Sequence, residues 1–324
     1  MRNMTYGLFG ATGSVGKALA ARLAERGQPF RVVGRSEERL RRDFRAYEPL
    51  VEYCAADLSD RVAAARAATG VDTIFYTVGV PYHQFEQHPK ITRVALEAAA
   101  AAGVRYFVHL STVYPYGVPQ QEFVSESHAR NPKAFKGRMR KEQEDLVLAA
   151  NNPKAMRTTI LIAPDFYGPD SELSYVHGIF DAAVNGGTAN VIGPIDTSHE
   201  FIFVPDVAET LIALSEKAEA YGKAWNVAGP GLMTTRQFAE QVFGAVHQKP
   251  RLRVAGSKVM LRVLGVFNPF LREVIEMHYL WTTPVKLDDT RLRQLLPDLH
   301  KTSYTEGIGA TINAMRSRAV PVAA

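Results

Sequence analysis

Short apolar runs and stretches of helical period alternate along the first half of the chain. The pattern predicts strands near 5–9, 30–34, 51–55, 72–77 and 105–110. It predicts helices at 15–26, 36–44, 59–67, 88–102 and 138–150, with one more strand at 156–162. Such alternation argues for an α/β fold, a parallel sheet with helices on both faces. The character changes after Ala163. Pro164 to Pro169 reads as a loop. A helix at 173–185, strands near 190–192 and 201–204 and a helix from Pro205 to Glu216 follow. Then come a strand at 224–227, a helix starting at Thr234, and a mixture of short helices and loops over 250–324. No internal repeat or low-complexity linker interrupts this order. The expected organisation is a larger domain over 1–163 and a smaller lobe over 164–324, intercalated and with segments returning to the first.

At the first strand-to-helix junction the chain reads Gly10-Ala11-Thr12-Gly13-Ser14-Val15-Gly16. Glycines allow a tight turn and a close approach of backbone to ligand. The free N–H groups and positive end of the following helix then face an anion. A glycine triplet alone also fits a plain turn. Its place at the first βα junction of a β-α-β chain makes it a dinucleotide-phosphate cradle.

Bulk properties remove several alternatives. The 324 residues are 46% hydrophobic and 22% charged, the balance of a globular protein with a sizeable core. No apolar run is long enough to span a bilayer, and the N-terminus passes straight into the first strand. A cytoplasmic protein that does not engage membranes is expected. Cys54 is the single cysteine, in an apolar strand pattern, so neither an internal disulfide nor a thiolate metal cluster forms. The histidines show no metal-ligand spacing, and no metal is expected. The net charge of +5 owes much to the run from Arg35 to Arg45, which reads as a solvated helix face. Basic surface interleaved with aromatics is missing, so nucleic acid is not an expected partner. Ala98 to Ala102 make a smooth helical face that suits either a homodimer contact or packing within the chain.

Further cofactor residues lie at the strand tips. The second strand ends Gly34-Arg35-Ser36, where an NAD-selective site carries an acid for the ribose hydroxyls. A guanidinium and a hydroxyl suit a 2′-phosphate, which points to NADP over NAD, although Arg35 could simply open a charged helix. After the third strand, Asp57 could accept the adenine amino group while Leu58 packs on the ring. The aspartates there could equally cap the next helix. Thr77-Val78-Gly79 ends the fourth strand, and Gly79 would let backbone lie against the cofactor.

Several further segments appear in matching order: Leu110 to Tyr114, Asp165 to Pro169, Phe201 to Ala208 and Trp225 to Gly229. With the glycine turn, they make the chain resemble the extended, atypical short-chain dehydrogenase/reductase superfamily, the NAD(P)-dependent epimerase/dehydratase-like group. The resemblance runs to about residue 315 and implies a Rossmann doubly wound sheet with a smaller substrate lobe. It also implies that Pro164, Asp165 and Phe166 approach the cofactor. Members usually carry Ser/Thr after the fifth strand and a Tyr-x-x-x-Lys pair on the next helix. Ser111 and Thr112 are in place here. Matching Glu144 to the family's helix puts Lys136 at the tyrosine position and Arg140 at the lysine position.

Arg140 could still bind the ribose hydroxyls. Lys136 is a poor acid at its ordinary pKa near 10.4. Burial beside a cation would lower that value, and a solvent-facing, inert lysine is the other reading. Glu142, Glu144 and Asp145 are expected to include the outward face of the helix. Tyr82, Tyr114, Tyr116 and Tyr167 follow family positions around the nicotinamide and could replace the missing acid, or serve only in packing. His199 stands where nucleotide-sugar enzymes generally place an arginine, and as a surface histidine it would clamp a diphosphate weakly. The resulting expectation is an NADP(H)-dependent oxidoreductase acting on a carbonyl or alcohol of a small substrate. An epimerase or dehydratase and a non-catalytic NADP(H)-binding redox sensor are the alternatives.

Overall fold

The computed structural model describes residues 5–255, 273 and 275–319. Its centre is a seven-stranded, all-parallel sheet in the order β10-β6-β5-β4-β1-β2-β3. The strands are β1 (Tyr6–Phe9), β2 (Phe30–Gly34), β3 (Val51–Ala55), β4 (Thr73–Tyr76), β5 (Tyr106–Thr112), β6 (Arg157–Ala163) and β10 (Ala224–Asn226). The helices α1 (Ser14–Glu25), α2 (Glu37–Phe44), α3 (Arg61–Ala68), α4 (Gln87–Ala101) and α5 (Phe135–Ala149) connect them. β1 and β4 are neighbours although two strands separate them in sequence. This reversal of strand order opens a crevice above the carboxyl ends, where such sheets bind ligands.

The first half follows its pattern closely because each strand is apolar over nearly its whole length. All four residues of β1 and of β4 are buried. One core cluster joins α1 to α7 (Val204–Ser215) through Leu19, Leu23, Val207 and Leu211. Each such side chain contributes roughly 1.5–3 kcal/mol on burial. Ala95, Ala98 and Ala99 of α4 face a second cluster inside the chain. The alanine face is therefore used, at these positions, for intrachain packing. Cys54 is a free thiol in the same cluster.

The second half departs further from expectation. Residues 165–167 were expected in a loop but form β7 (Asp165–Tyr167), paired in parallel with β9 (Ser198–Phe203). Period-2 patterning cannot reveal a strand of three residues whose partner lies more than thirty positions away. β9 also begins earlier than its apolar stretch, at Ser198. α6 (His177–Asn185) starts four residues after the expected 173. β11 (Leu232–Thr234) joins β9 antiparallel, and α8 (Thr235–Ala245) follows with a capping box from Thr234 and Gln237. β8 (Ala189–Ile192) pairs with β12 (Leu252–Ala255). The expected short helices and loops of 250–324 include one long helix, Tyr304–Ala319, which packs on the smaller lobe through Ile308 and Ile312. β10, from the same half, completes the central sheet.

Candidate functional site

The glycine turn forms the floor of the crevice. Gly10 has φ +93°, and a Cβ there would meet Thr77 and Val78 backbone atoms at 2.8 Å. At Gly16 a Cβ would lie 2.5 Å from the Ala11 carbonyl oxygen. Both positions need glycine for the fold itself. Gly13 is different: its φ is −80°, and a Cβ would meet only the Gly10 carbonyl oxygen at 3.5 Å. The space above Gly13 is therefore open. It caps α1 without a side-chain hydrogen bond, and the first turn of α1 contains no acid. The orphan N–H groups of Ser14, Val15 and Gly16 are left for an outside anion. Thr77 ties the tip of β1 down, its hydroxyl donating to the Phe9 carbonyl at 3.2 Å. These features fit a dinucleotide pyrophosphate.

At the tip of β2, a Cβ on Gly34 would stand 3.2 Å from Leu40 and 3.5 Å from Thr12. Arg35 is exposed and makes no hydrogen bond or ion pair with the described residues. Ser36 caps α2, accepting from the Arg39 amide, and its hydroxyl hydrogen stays available. Asp57 accepts from the amide and hydroxyl of Ser59, which hold its carboxyl below the usual range, with the nearby Arg35 charge adding to this. Asp60, not Asp57, caps α3. Leu58 is buried, whereas Gly79 has open space around its Cα.

The fifth strand and α5 rearrange the expected catalytic group. Ser111 is fully buried, and its hydroxyl donates to Glu144 at 2.5 Å. Glu144 is itself fully buried, while Glu142 of the same acidic cluster takes the exposed face of the helix. Its second oxygen accepts from Arg130 at 2.9 Å, and Arg130 also reaches Asp145. Burial raises the Glu144 carboxyl, against the Ser111 and Arg130 hydrogen bonds that lower it. Ser111 thus spends its hydroxyl hydrogen on Glu144, whereas Thr112, half-buried at the strand end, accepts from the Tyr114 amide at 3.4 Å and keeps its own hydrogen to donate. Arg130→Met should remove the ion-paired partner of Glu144, leaving only the Arg140 charge nearby, and destabilise the fold by about 3 kcal/mol, the scale of a broken buried pair. Urea unfolding checks this. Adding Glu144→Gln should restore much of the loss, and an unchanged midpoint in the single variant would refute it.

Arg140 turns inward. Its Nη1 lies 3.3 Å from His88 Nδ1 and donates to Gln143 at 2.6 Å, and its Nη2 donates to the Leu110 carbonyl at 3.2 Å. Its Nε has no partner among the described residues. Gln143 continues through Thr92 to the Tyr76 hydroxyl. His88 is pushed down to about 2 by burial and by the Arg140 charge, so it is neutral here. His109 is a fully buried core residue of β5.

Lys136 is 2% exposed, which removes the solvent-facing reading. Its ammonium donates to Glu273 at 2.9 Å and Glu276 at 2.7 Å, and lies within 6 Å of the Tyr82 and Phe85 ring centres. Three residues apart, Glu273 and Glu276 suggest one helical face, but nothing in the sequence pairs that face with residue 136.

The four candidate tyrosines separate clearly. Tyr167 is fully buried among Phe180, Phe203, Phe238 and Tyr304 in the smaller lobe. It is a packing aromatic, because β7 pairing turns its ring into that core. Tyr116 is also buried and donates to Asn226. Tyr82 and Tyr114 remain at the crevice, with hydroxyls 2.9 Å apart. Burial raises the Tyr114 hydroxyl well above its ordinary value. Asp165 sits at the start of β7, just past β6. Its charge is felt at Tyr82, Tyr114 and Tyr175, and it makes no hydrogen bond with the described residues. Burial pushes its carboxyl up to about 7. Pro164 is buried beside it and Phe166 half-buried. His199 is not a surface residue: it is 2% exposed, and burial takes it down to about 4.

This combination of a doubly wound sheet, a glycine phosphate cradle and a second lobe closing the crevice defines a nucleotide-cofactor enzyme fold. A family model for the NAD dependent epimerase/dehydratase family matches residues 8–228, and the chain belongs to that family. A (4-alkanoyl-5-oxo-2,5-dihydrofuran-3-yl)methyl phosphate reductase from Streptomyces griseus is 30% identical over 257 residues, 79% of this chain and 76% of the relative. Among solved structures, a UDP-glucuronic acid 4-epimerase from Bacillus cereus in complex with NAD superposes with a TM-score of 0.80. It is 15% identical and covers 98% of this chain and 99% of its own. A dTDP-glucose 4,6-dehydratase from Streptomyces venezuelae, with NAD and TYD bound, gives a TM-score of 0.80 at 18% identity, over 97% of each chain. No described helix is long and apolar enough to cross a membrane.

Proposed function

We propose that the protein is an NADP(H)-dependent oxidoreductase that interconverts a carbonyl and an alcohol on a small organic substrate. The observation that carries this reading is the exposed, unpaired Arg35 at the tip of β2, beside a glycine where a ribose-binding acid would crowd Leu40. The solved neighbours named above hold NAD, so the 2′-phosphate preference is this chain's own feature. Gly10, Thr12, Gly13, Ser14, Val15 and Gly16 hold the pyrophosphate, and Arg35 and Ser36 hold the 2′-phosphate. Asp57, Leu58, Thr77, Val78 and Gly79 line the adenosine side. The bound nicotinamide supplies or accepts a hydride.

The chain's residues then manage the oxygen and the proton. Thr112 holds the carbonyl oxygen, a task Ser111 cannot share while it donates to Glu144. Tyr114 stays protonated at neutral pH and donates to the developing alkoxide, and Tyr82, 2.9 Å away, orients it. Lys136 acts through the charge it brings near Tyr82, since both neighbouring carboxylates already accept from its ammonium. Arg140 keeps a buried positive charge beneath the nicotinamide side. A redox-sensor reading draws on this same Lys136, because its placement removes the family's usual acid.

Titration of both cofactors tests the reading. Arg35→Ala should weaken NADP(H) by ~10–100-fold, the scale of a lost charge-assisted contact, and leave NAD(H) nearly unchanged. Equal losses for the two cofactors would sink it.

A further inference from the structure

The smaller lobe closes the crevice with aromatic rings rather than with charge. Tyr175 stands 6.4 Å from His199 and 6.4 Å from Trp281, centre to centre. His278 meets Trp281 edge-on at 6.1 Å. Tyr82 packs against the other side of Trp281, and its hydroxyl is the one paired with Tyr114. A continuous wall of rings therefore runs from the nicotinamide side of the crevice into the smaller lobe.

This wall carries polar atoms with nothing to bond. His199 Nε2 and His278 Nε2 are both buried, without a hydrogen-bond partner among the described residues, while the Tyr175 hydroxyl has the Thr235 side chain within reach. Two unpaired imidazole nitrogens in one wall of rings are costly unless a ligand satisfies them. The charges nearby point the same way. Lys136 is outnumbered by Glu273 and Glu276, and Asp165 adds a further acidic group whose field reaches Tyr175. His199 is neutral at pH 7 because burial depresses its pKa. Among the described residues Arg140 is the one nearby cation without an ion pair, and its guanidinium is spent on Gln143, the Leu110 carbonyl and His88 rather than on the wall.

Resting on the oxidoreductase reading, we propose that the substrate is an uncharged ring ketone or ring alcohol, held by the faces of Tyr175 and Trp281 and hydrogen-bonded by His199 and His278. A neutral imidazole offers one donor and one acceptor, so it can serve either oxidation state of the substrate oxygen functions. A phosphate ester or nucleoside diphosphate would meet rings and neutral imidazoles there, with no cation among the described residues of the wall to pair its charge.

Tryptophan fluorescence reads this directly. The chain has two tryptophans, Trp225 and Trp281. Trp225→Phe leaves Trp281 as the reporter, and calorimetry on the parent protein repeats the measurement without that substitution. The probes are 2-tetralone, phenyl phosphate, UDP-glucose and inorganic phosphate, each with NADP present. We expect 2-tetralone to quench Trp281 with a dissociation constant at least tenfold below that of phenyl phosphate, which shares the ring and adds the charge. His199→Phe and His278→Phe should each weaken 2-tetralone by about tenfold, with thermal melting showing that the variants fold. Binding of 2-tetralone without NADPH consumption by any ketone would end the oxidoreductase reading and leave the substrate class standing. Phenyl phosphate or UDP-glucose binding as tightly as the ketone would overturn the substrate class, as would absence of quenching by 2-tetralone up to its solubility limit.

Discussion

Replacing Gly13 with valine is expected to weaken dinucleotide binding by ~10²-fold or more while the protein still folds. A Cβ at this position meets only one backbone oxygen, at 3.5 Å, an ordinary contact. Its φ of −80° is open to any L-residue. Folding therefore loses little. The space that the branched side chain fills is the space above the uncapped start of α1, where a pyrophosphate collects the free N–H groups. Gly16→Val is the control. There a Cβ would press into the Ala11 backbone at 2.5 Å, so that variant should fail to fold rather than fold without cofactor. Thermal melting and cofactor titration on both variants check the pair. Normal binding by a folded Gly13→Val protein would refute the cradle.

Asp165→Asn should stabilise the protein at pH 8 and not at pH 4. Burial holds this carboxyl up at about 7 in the fold, while an unfolded aspartate titrates near 3.9. Below about pH 4 both states are protonated, and the aspartate costs nothing. As the pH rises toward 7, the unfolded chain releases its proton first, and the equilibrium moves toward unfolding. Above the folded pKa the full penalty, on the order of 4 kcal/mol, is in force. The amide carries no such penalty. Buried histidines such as His88 and His199 add their own pH dependence, but it is common to both proteins and cancels in the difference. Denaturation midpoints of parent and variant across pH 4–8 test this, and a gap that stays constant with pH would refute it.

The sheet was readable because its strands are short, apolar and separated by helices of clear period. The limits of β2 and β3 coincide with the expected ones. β7 was hidden because its three residues owe their strand geometry to β9, and no local pattern records a partner so distant. At the site, the glycine turn was legible because its function depends on backbone shape, which glycine spacing encodes. The orientation of Ser111, Glu144 and Lys136 was not. Each points where a partner from another segment draws it: Ser111 to Glu144, Glu144 to Arg130, and Lys136 to Glu273 and Glu276. His199 misled for a related reason. Its polar character suggested the surface, while Tyr175 and Phe201 enclose it.

The tie between Lys136 and its two glutamates also bears on how this chain can change over generations. At this position the family's usual tyrosine performs chemistry, whereas here the ammonium holds the segment around Glu273 and Glu276 against α5. Lys136→Tyr would bring back the phenol and at once leave two neighbouring carboxylates facing each other with no cation between them. The family's usual side chain at 136 therefore asks for changes at Glu273 and Glu276 as well. A fastener of this kind acts as a ratchet: substitutions that keep the cation are tolerated far more readily than the one that removes it.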